Sequence, residues 1–134
     1  MKNLSILAAC ALMAAPLCMP AYAELNTGQE YADACIQVLN DAADILEKVT
    51  PDTADACVEK LLKEIKPRLQ AILASESQFS DEERQLAFEG EKWDAVNKRM
   101  REAVSRLSLE MQSAAPEDRA KLEKVWNTCA VLCR

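Results

Sequence analysis

The sequence predicts an all-α fold, a small antiparallel bundle of three or four helices held by two disulfides. Three observations lead there. Apolar residues recur at spacings of three and four through nearly the whole chain after residue 27. Strand signatures (β-branched clusters, Asn-Gly turns, period-2 alternation) are absent, and there are only two glycines, Gly28 and Gly90. Beyond residue 23 there are four cysteines, with Cys35 and Cys129 on the expected apolar stripes and Cys57 and Cys133 beside them.

The first 23 residues have the organisation of a cleaved signal peptide. Lys2 gives a positive start, an apolar run extends from Leu4 through Leu17 and Met19, and Ala21-Tyr22-Ala23 is a small-x-small cleavage site. A membrane anchor would need about 20 uninterrupted apolar residues, and Pro16 and Pro20 break this run. Leu7-Ala8-Ala9-Cys10 has lipobox character, but Cys10 lies inside the apolar run rather than after it. Cleavage after Ala23 leaves residues 24–134 as a single domain, with no membrane span. Losing Lys2 leaves 15 basic and 22 acidic residues, a net charge of −7. Such a surface repels phosphate backbones and anionic headgroups, so nucleic acid is not an expected partner.

Export also sets the expectation for the cysteines. Cys10 and Cys18 leave with the leader, and four remain, an even number in an oxidising compartment. A zinc site would show C-x-x-C or paired histidines. The chain has no histidine and no C-x-x-C, so no metal or other cofactor is expected.

The helices follow in order. Thr27-x-x-Glu30 is a capping box opening a helix from Gly28 to about Val49, with Tyr31, Cys35, Val38, Ala42, Ile45 and Val49 as its stripe and Ile36, Leu39 and Leu46 widening it. Thr50-Pro51 stops that helix and starts the next, from about Asp52 to Ser75, where Val58, Leu61, Leu62, Ile65, Leu69, Ile72 and Leu73 face inward. Pro67 lies inside it and predicts a bend near Lys63. Ser80-x-x-Glu83 caps a third helix running to Met111, with Leu86, Trp93, Val96, Met100, Ala103, Val104, Leu107 and Met111 on its seam and Gly90 as a close-approach or weak point. Pro116, followed by Glu117 and Asp118, opens the fourth, with Leu122, Val125, Trp126, Cys129 and Leu132 inward. Tyr31, Trp93 and Trp126 belong to these stripes as core residues.

Helical rise then ranks the cysteine pairs. Measured from the turn near Ser77, Cys57 and Cys129 both stand at ~30 Å, whereas Cys35 stands at ~15 Å and Cys133 at ~24 Å. Cys57–Cys129 and Cys35–Cys133 are therefore the expected bridges.

Catalytic chemistry finds little purchase. Without histidine no Ser-His-Asp or Cys-His arrangement exists, and phosphate-binding and nucleophile-elbow motifs are missing. An enzyme is not expected. Asp81-Glu82-Glu83 has the acids of a cation site but also of an ordinary helix start. More unusual is the first helix, which carries Glu30, Asp33, Asp41, Asp44 and Glu47 with no base until Lys48. These acids form either a surface for a basic partner or the intramolecular counterpart of Lys98, Arg99, Arg101 and Arg106.

Two segments resemble one another: Phe79-Ser80-Asp81-Glu82-Glu83-Arg84 and Ala114-Ala115-Pro116-Glu117-Asp118-Arg119, the latter continuing Ala120-Lys121-Leu122-Glu123. Both are similar to the degenerate LT-x-x-Q helix starts of periplasmic Spy/CpxP-type proteins. That resemblance implies a helical chaperone or a stress- or metal-sensing module. The expected role is thus an exported interaction or structural protein, with the client-binding chaperone as its alternative. Apolar stripes this wide would also support a homodimer.

Overall fold

The computed structural model describes residues 24–132; residues 1–23, expected to be a signal peptide, and residues 133–134, with Cys133, lie outside the described residues. All regular structure in this range is helical. The α-helices are α1 (Gly28–Glu47), α2 (Ala54–Lys60), α3 (Lys66–Ser75), α4 (Asp81–Gln85), α5 (Gly90–Ser113) and α6 (Pro116–Val131).

Each terminus has a local cause. Thr27 accepts the Glu30 N–H on its hydroxyl at 3.1 Å, and the Glu30 carboxylate reaches back to the Asn26 N–H at 3.4 Å. Thr50 and Thr53 cap each other reciprocally around a 3₁₀ turn, Pro51–Thr53, with Pro51 at the position where its missing N–H costs nothing. At Ser80–Glu83 both halves of the capping box form, at 3.1 and 3.2 Å.

Pro67 is accommodated without ending the rod. Between α2 and α3 lies a single π-helical stretch, Leu61–Ile65, in which the Lys66 N–H bonds back five residues to the Leu61 carbonyl. The wider turn absorbs the register fault that a donorless, bulky proline imposes on an α-helical ladder. Where a bend was expected near Lys63 the helix instead changes to this π stretch, and Leu61 and Ile65 at its two ends stay fully buried.

The third helix is not continuous, contrary to expectation. After α4 the chain tightens into a 3₁₀ turn, Leu86–Phe88, and restarts at Gly90 with φ +86°. Nothing lies within 4 Å of where a Cβ would sit on Gly90. The glycine is needed for its left-handed backbone, not for close helix approach. The break turns Leu86 and Phe88 outward, and Phe88 meets Trp93 edge-on with ring centroids 5.1 Å apart.

The contacts define the layout. Arg68 on α3 pairs with Asp41 and the Cys57 thiol on α2 faces the Ile45 carbonyl, so α2–α3 runs antiparallel to α1. Along α5, Arg99 meets Asn40, Asp44 and Glu47, and Arg106 reaches the Leu46 carbonyl near the end of α1, so α5 runs with α1. A two-residue link, Ala114-Ala115, folds α6 back along α5, and Lys124 approaches Asp55 at 3.7 Å to set α6 beside α2. The core between these layers holds Val38, Leu46, Val49, Leu61, Ile65, Leu107, Leu122 and Val125, all under 2% exposed. Tyr31 and Phe79 close its lower end, rings 5.1 Å apart. Leu62, Leu73 and Leu86, expected on the inner stripes, are instead exposed.

Gly28 marks the tightest approach. A Cβ there would lie 2.9 Å from the Glu83 Cβ and 3.2 Å from its Cα, so α4 would have to move. Gly28→Ala is expected to destabilise the fold by about 1–2 kcal/mol, the usual cost of overpacking. Urea denaturation of the two proteins measures it, and an unchanged midpoint would contradict this packing.

Candidate functional site

Two kinds of residue carried functional expectations, the acids of α1 and the cysteines, and both are held by neighbours in the folded chain. Arg99 is the centre of the acidic face. Its Nε and Nη2 donate to the two carboxylate oxygens of Glu47 at 2.7 and 2.6 Å, Nη2 also donates to Asp44, and Nη1 donates to the Asn40 carbonyl and side-chain oxygens at 3.3 and 3.2 Å. Asp41 accepts from Arg68 at 2.6 Å and from Gln37 at 3.0 Å. Asp33 accepts from Gln29 at 3.0 Å, and Glu30 serves the helix cap. Arg106 bridges Glu110 and the Leu46 carbonyl. Of the basic residues weighed against this face, Arg99 and Arg106 reach α1, whereas Lys98 pairs with Glu102 on its own helix. Asp81 pairs with Arg84 and the Glu83 carboxylate caps its helix, so two acids of the triplet at α4 are used structurally.

The bridge expected between Cys57 and Cys129 is not made: Cys35, Cys57 and Cys129 are all free thiols. Register and direction explain it. With Lys124 level with Asp55, Cys129 lies about one turn below Cys57 along the neighbouring helix. The Cys57 Sγ points to the Ile45 carbonyl and the Thr53 hydroxyl, both at 3.9 Å, which is toward α1 and away from α6. Equal heights for Cys57 and Cys129 require one unbroken third helix, and the chain breaks at Leu86–Phe88 and Gly90. The second expected pair, Cys35–Cys133, includes a residue outside those described. Burial pushes the Cys129 thiol up to about 11. It raises Cys35 as well, against a lowering hydrogen bond from Tyr31 and with a further push from the charge on Glu76.

Trp126 departs most from its expected place. Rather than joining the core, it is 38% exposed and forms one wall of a groove of about 340 Å³ between α5 and α6, lined by Ser108, Met111, Gln112, Arg119 and Trp126. A groove of this size falls within the range that takes a ligand or one large side chain. Arg119 is fixed at its rim: Nε donates to the Met111 carbonyl at 2.9 Å, and Nη2 faces the Gln112 and Ala114 carbonyls at 3.4 Å. It thereby satisfies carbonyls left open at the end of α5. A second hollow, of about 410 Å³, lies between α1 and α5 over Ile36, Ala95 and Val96, edged by Asp33, Gln37, Asn40 and Lys92. The hydrophobic period showed Trp126 to be near a helix interface; that the interface opens there depends on how α5 and α6 end, which periodicity does not carry.

Among the described residues no group of three cysteine, aspartate or glutamate side chains is placed to hold a metal ion, and no helix is long and apolar enough to cross a membrane. No family model, curated protein or solved structure matches this chain.

Two outcomes follow. The Arg99 hydrogen bond holds the Glu47 carboxyl below the usual carboxylate range. A lowered folded-state pKa contributes stability above the unfolded value, near 4.3, that is lost as pH falls through the folded one. Arg99→Met should therefore lower Tm by a few degrees at pH 7. The difference should narrow in high salt and below about pH 4, and thermal melts across that range check it. Separately, a thiol titrating near 11 stays protonated at pH 8, so Cys129 should react with iodoacetamide at least about tenfold more slowly than free cysteine. Mass-spectrometric alkylation kinetics on the native protein would show it.

Proposed function

We propose that this chain is an exported, non-enzymatic helical protein of the cell envelope or extracellular space that works by binding another protein. The observation that carries the reading is the groove between α5 and α6, where a half-exposed tryptophan and a methionine stand beside a fixed guanidinium. Tryptophan and arginine are the side chains on which protein interfaces most often concentrate their energy. Support for export comes from the leader-like residues 1–23, and the absence of histidine supports a role other than acid-base catalysis.

A client-binding chaperone is the second reading. It is favoured by the apolar side chains left on the surface, Leu62, Leu73, Leu86, Phe88 and Leu109, which are 41–65% exposed. These are spread over several elements, whereas the groove is one concave place, so a defined partner is preferred.

Cross-linking in the native envelope, followed by mass spectrometry, tests both readings. The expected result is a mature chain beginning at Glu24, linked to one dominant protein whose recovery falls about tenfold or more with Trp126→Ala. Many unrelated proteins in place of one would favour the chaperone. Recovery of no protein would overturn the proposal.

A further inference from the structure

We propose that the groove between α5 and α6 receives the C-terminal end of its partner's chain, with the last, large apolar side chain against Trp126 and Met111 and the terminal carboxylate on Arg119. This rests on the binding role proposed above and adds the chemistry that is recognised.

The polar lining presents donors. Arg119 is oriented by its three carbonyl contacts, and among the described residues its Nη1 has no acceptor and its guanidinium has no carboxylate within ion-pair distance. Ser108 accepts a long contact from Gln112 Nε2 at 3.5 Å, leaving its own O–H to donate. The chain has 22 acidic side chains, yet none is among the described residues lining this groove, whereas Asp33 lines the other hollow. Arg119 and the Ser108 hydroxyl thus offer donors beside an apolar wall, with no carboxylate among the described lining residues, which suits a ligand that is apolar with an anionic end.

The size and charge of the site narrow that ligand. Arg119 and Trp126 are seven residues apart on α6, a rise of about 10 Å. The apolar group and the anion must then belong to one residue or to adjacent ones. A net charge of −6 repels a segment bearing several acids. A chain terminus meets both limits, since an aromatic last residue carries its carboxylate on the same Cα and adds one negative charge. Capture of a chain's terminal carboxylate is a recurring mode of peptide recognition, made elsewhere by backbone N–H groups; here the oriented guanidinium of Arg119 would take that part.

The test uses the full chain and fluorescence anisotropy of an N-terminally labelled pentapeptide, Gly-Ser-Gly-Ala-Phe, made as the free acid and as the C-terminal amide. The acid should bind at least about tenfold more tightly than the amide, a margin in the range of one charge-assisted pair. Arg119→Gln should erase that preference, and Trp126→Ala should weaken both peptides. Because Arg119 also ties down the end of α5, a second variant, Ser108→Trp, fills the groove with Arg119 intact and should abolish binding while the circular dichroism spectrum is unchanged. Equal binding of acid and amide, a preference that survives Arg119→Gln, binding that survives Ser108→Trp, or no binding of either peptide would each overturn the inference. A dominant cross-linked partner that depends on Trp126 but shows no preference for the free acid would sink this inference alone. Absence of any partner would sink the reading beneath it.

Discussion

Everything else in the molecule leans on α1, which must be buried on more than one side at once. Tyr31, Ala32, Val38, Ala42, Ala43 and Leu46 are each 4% exposed or less, and three of the six are alanine. Small side chains let neighbouring backbones approach closely, while Val38 and Leu46 fill the space between them. The antiparallel rod α2–α3 covers one side and the parallel helix α5 another, and the glycine at the start of α1 admits α4 underneath. Ala43 has no exposed surface, so a bulky residue there could fit only by displacing what is packed against it. The arrangement is thus a constraint of volume before it is one of charge.

Charge is fitted onto that packing. Six acidic charges in excess would favour expansion of a compact chain, and the densest acidic stretch lies on the helix that is packed from several sides. Arg99 and Arg68 hold three of those acids from two different elements. Exposed pairs of this kind add little stability each, but they remove like-charge repulsion where α1 meets α5 and α3. The acidic run is therefore accounted for largely within the molecule, and the surface available to a partner is better sought where polar groups have no such company.

The sequence carried much of this and missed the rest for physical reasons. Thr27–Glu30, Thr50-Pro51 and Ser80–Glu83 were legible as helix starts because capping is local chemistry, settled by residues three apart. The fault at Pro67 was legible for the same reason, although not its resolution as a π turn, which needs the surrounding core to hold Leu61 and Ile65 inward. Gly90 was legible as a weak point or a close approach, but a full break before it was not, because the seam on either side stays apolar and one glycine in a helical pattern is usually tolerated. That single omission lengthened the third helix on paper and brought Cys57 and Cys129 to equal heights, from which the unformed bridge followed. Trp126 was misplaced by a different error: a stripe shows which face of a helix turns inward, not whether a partner extends far enough to cover it.

Coverage is the reason the groove lies where it does. Arg106 reaches the carbonyl of Leu46 in the last turn of α1, and α5 then continues to Ser113, about two turns further. Beyond that point α1 has ended, and Ser108, Met111 and Gln112 of α5 line the groove opposite Arg119 and Trp126 of α6. The two-residue link keeps α6 close, but two helices meeting alone touch along a line and leave a hollow on the open side. Leu122 and Val125 face the core and are fully buried, whereas Trp126, one position on, is turned about 100° toward that hollow. A hairpin longer than the bundle that supports it therefore exposes apolar surface at its edge. In a chain whose acidic first helix is largely met from within, that edge joins exposed apolar surface to a fixed guanidinium.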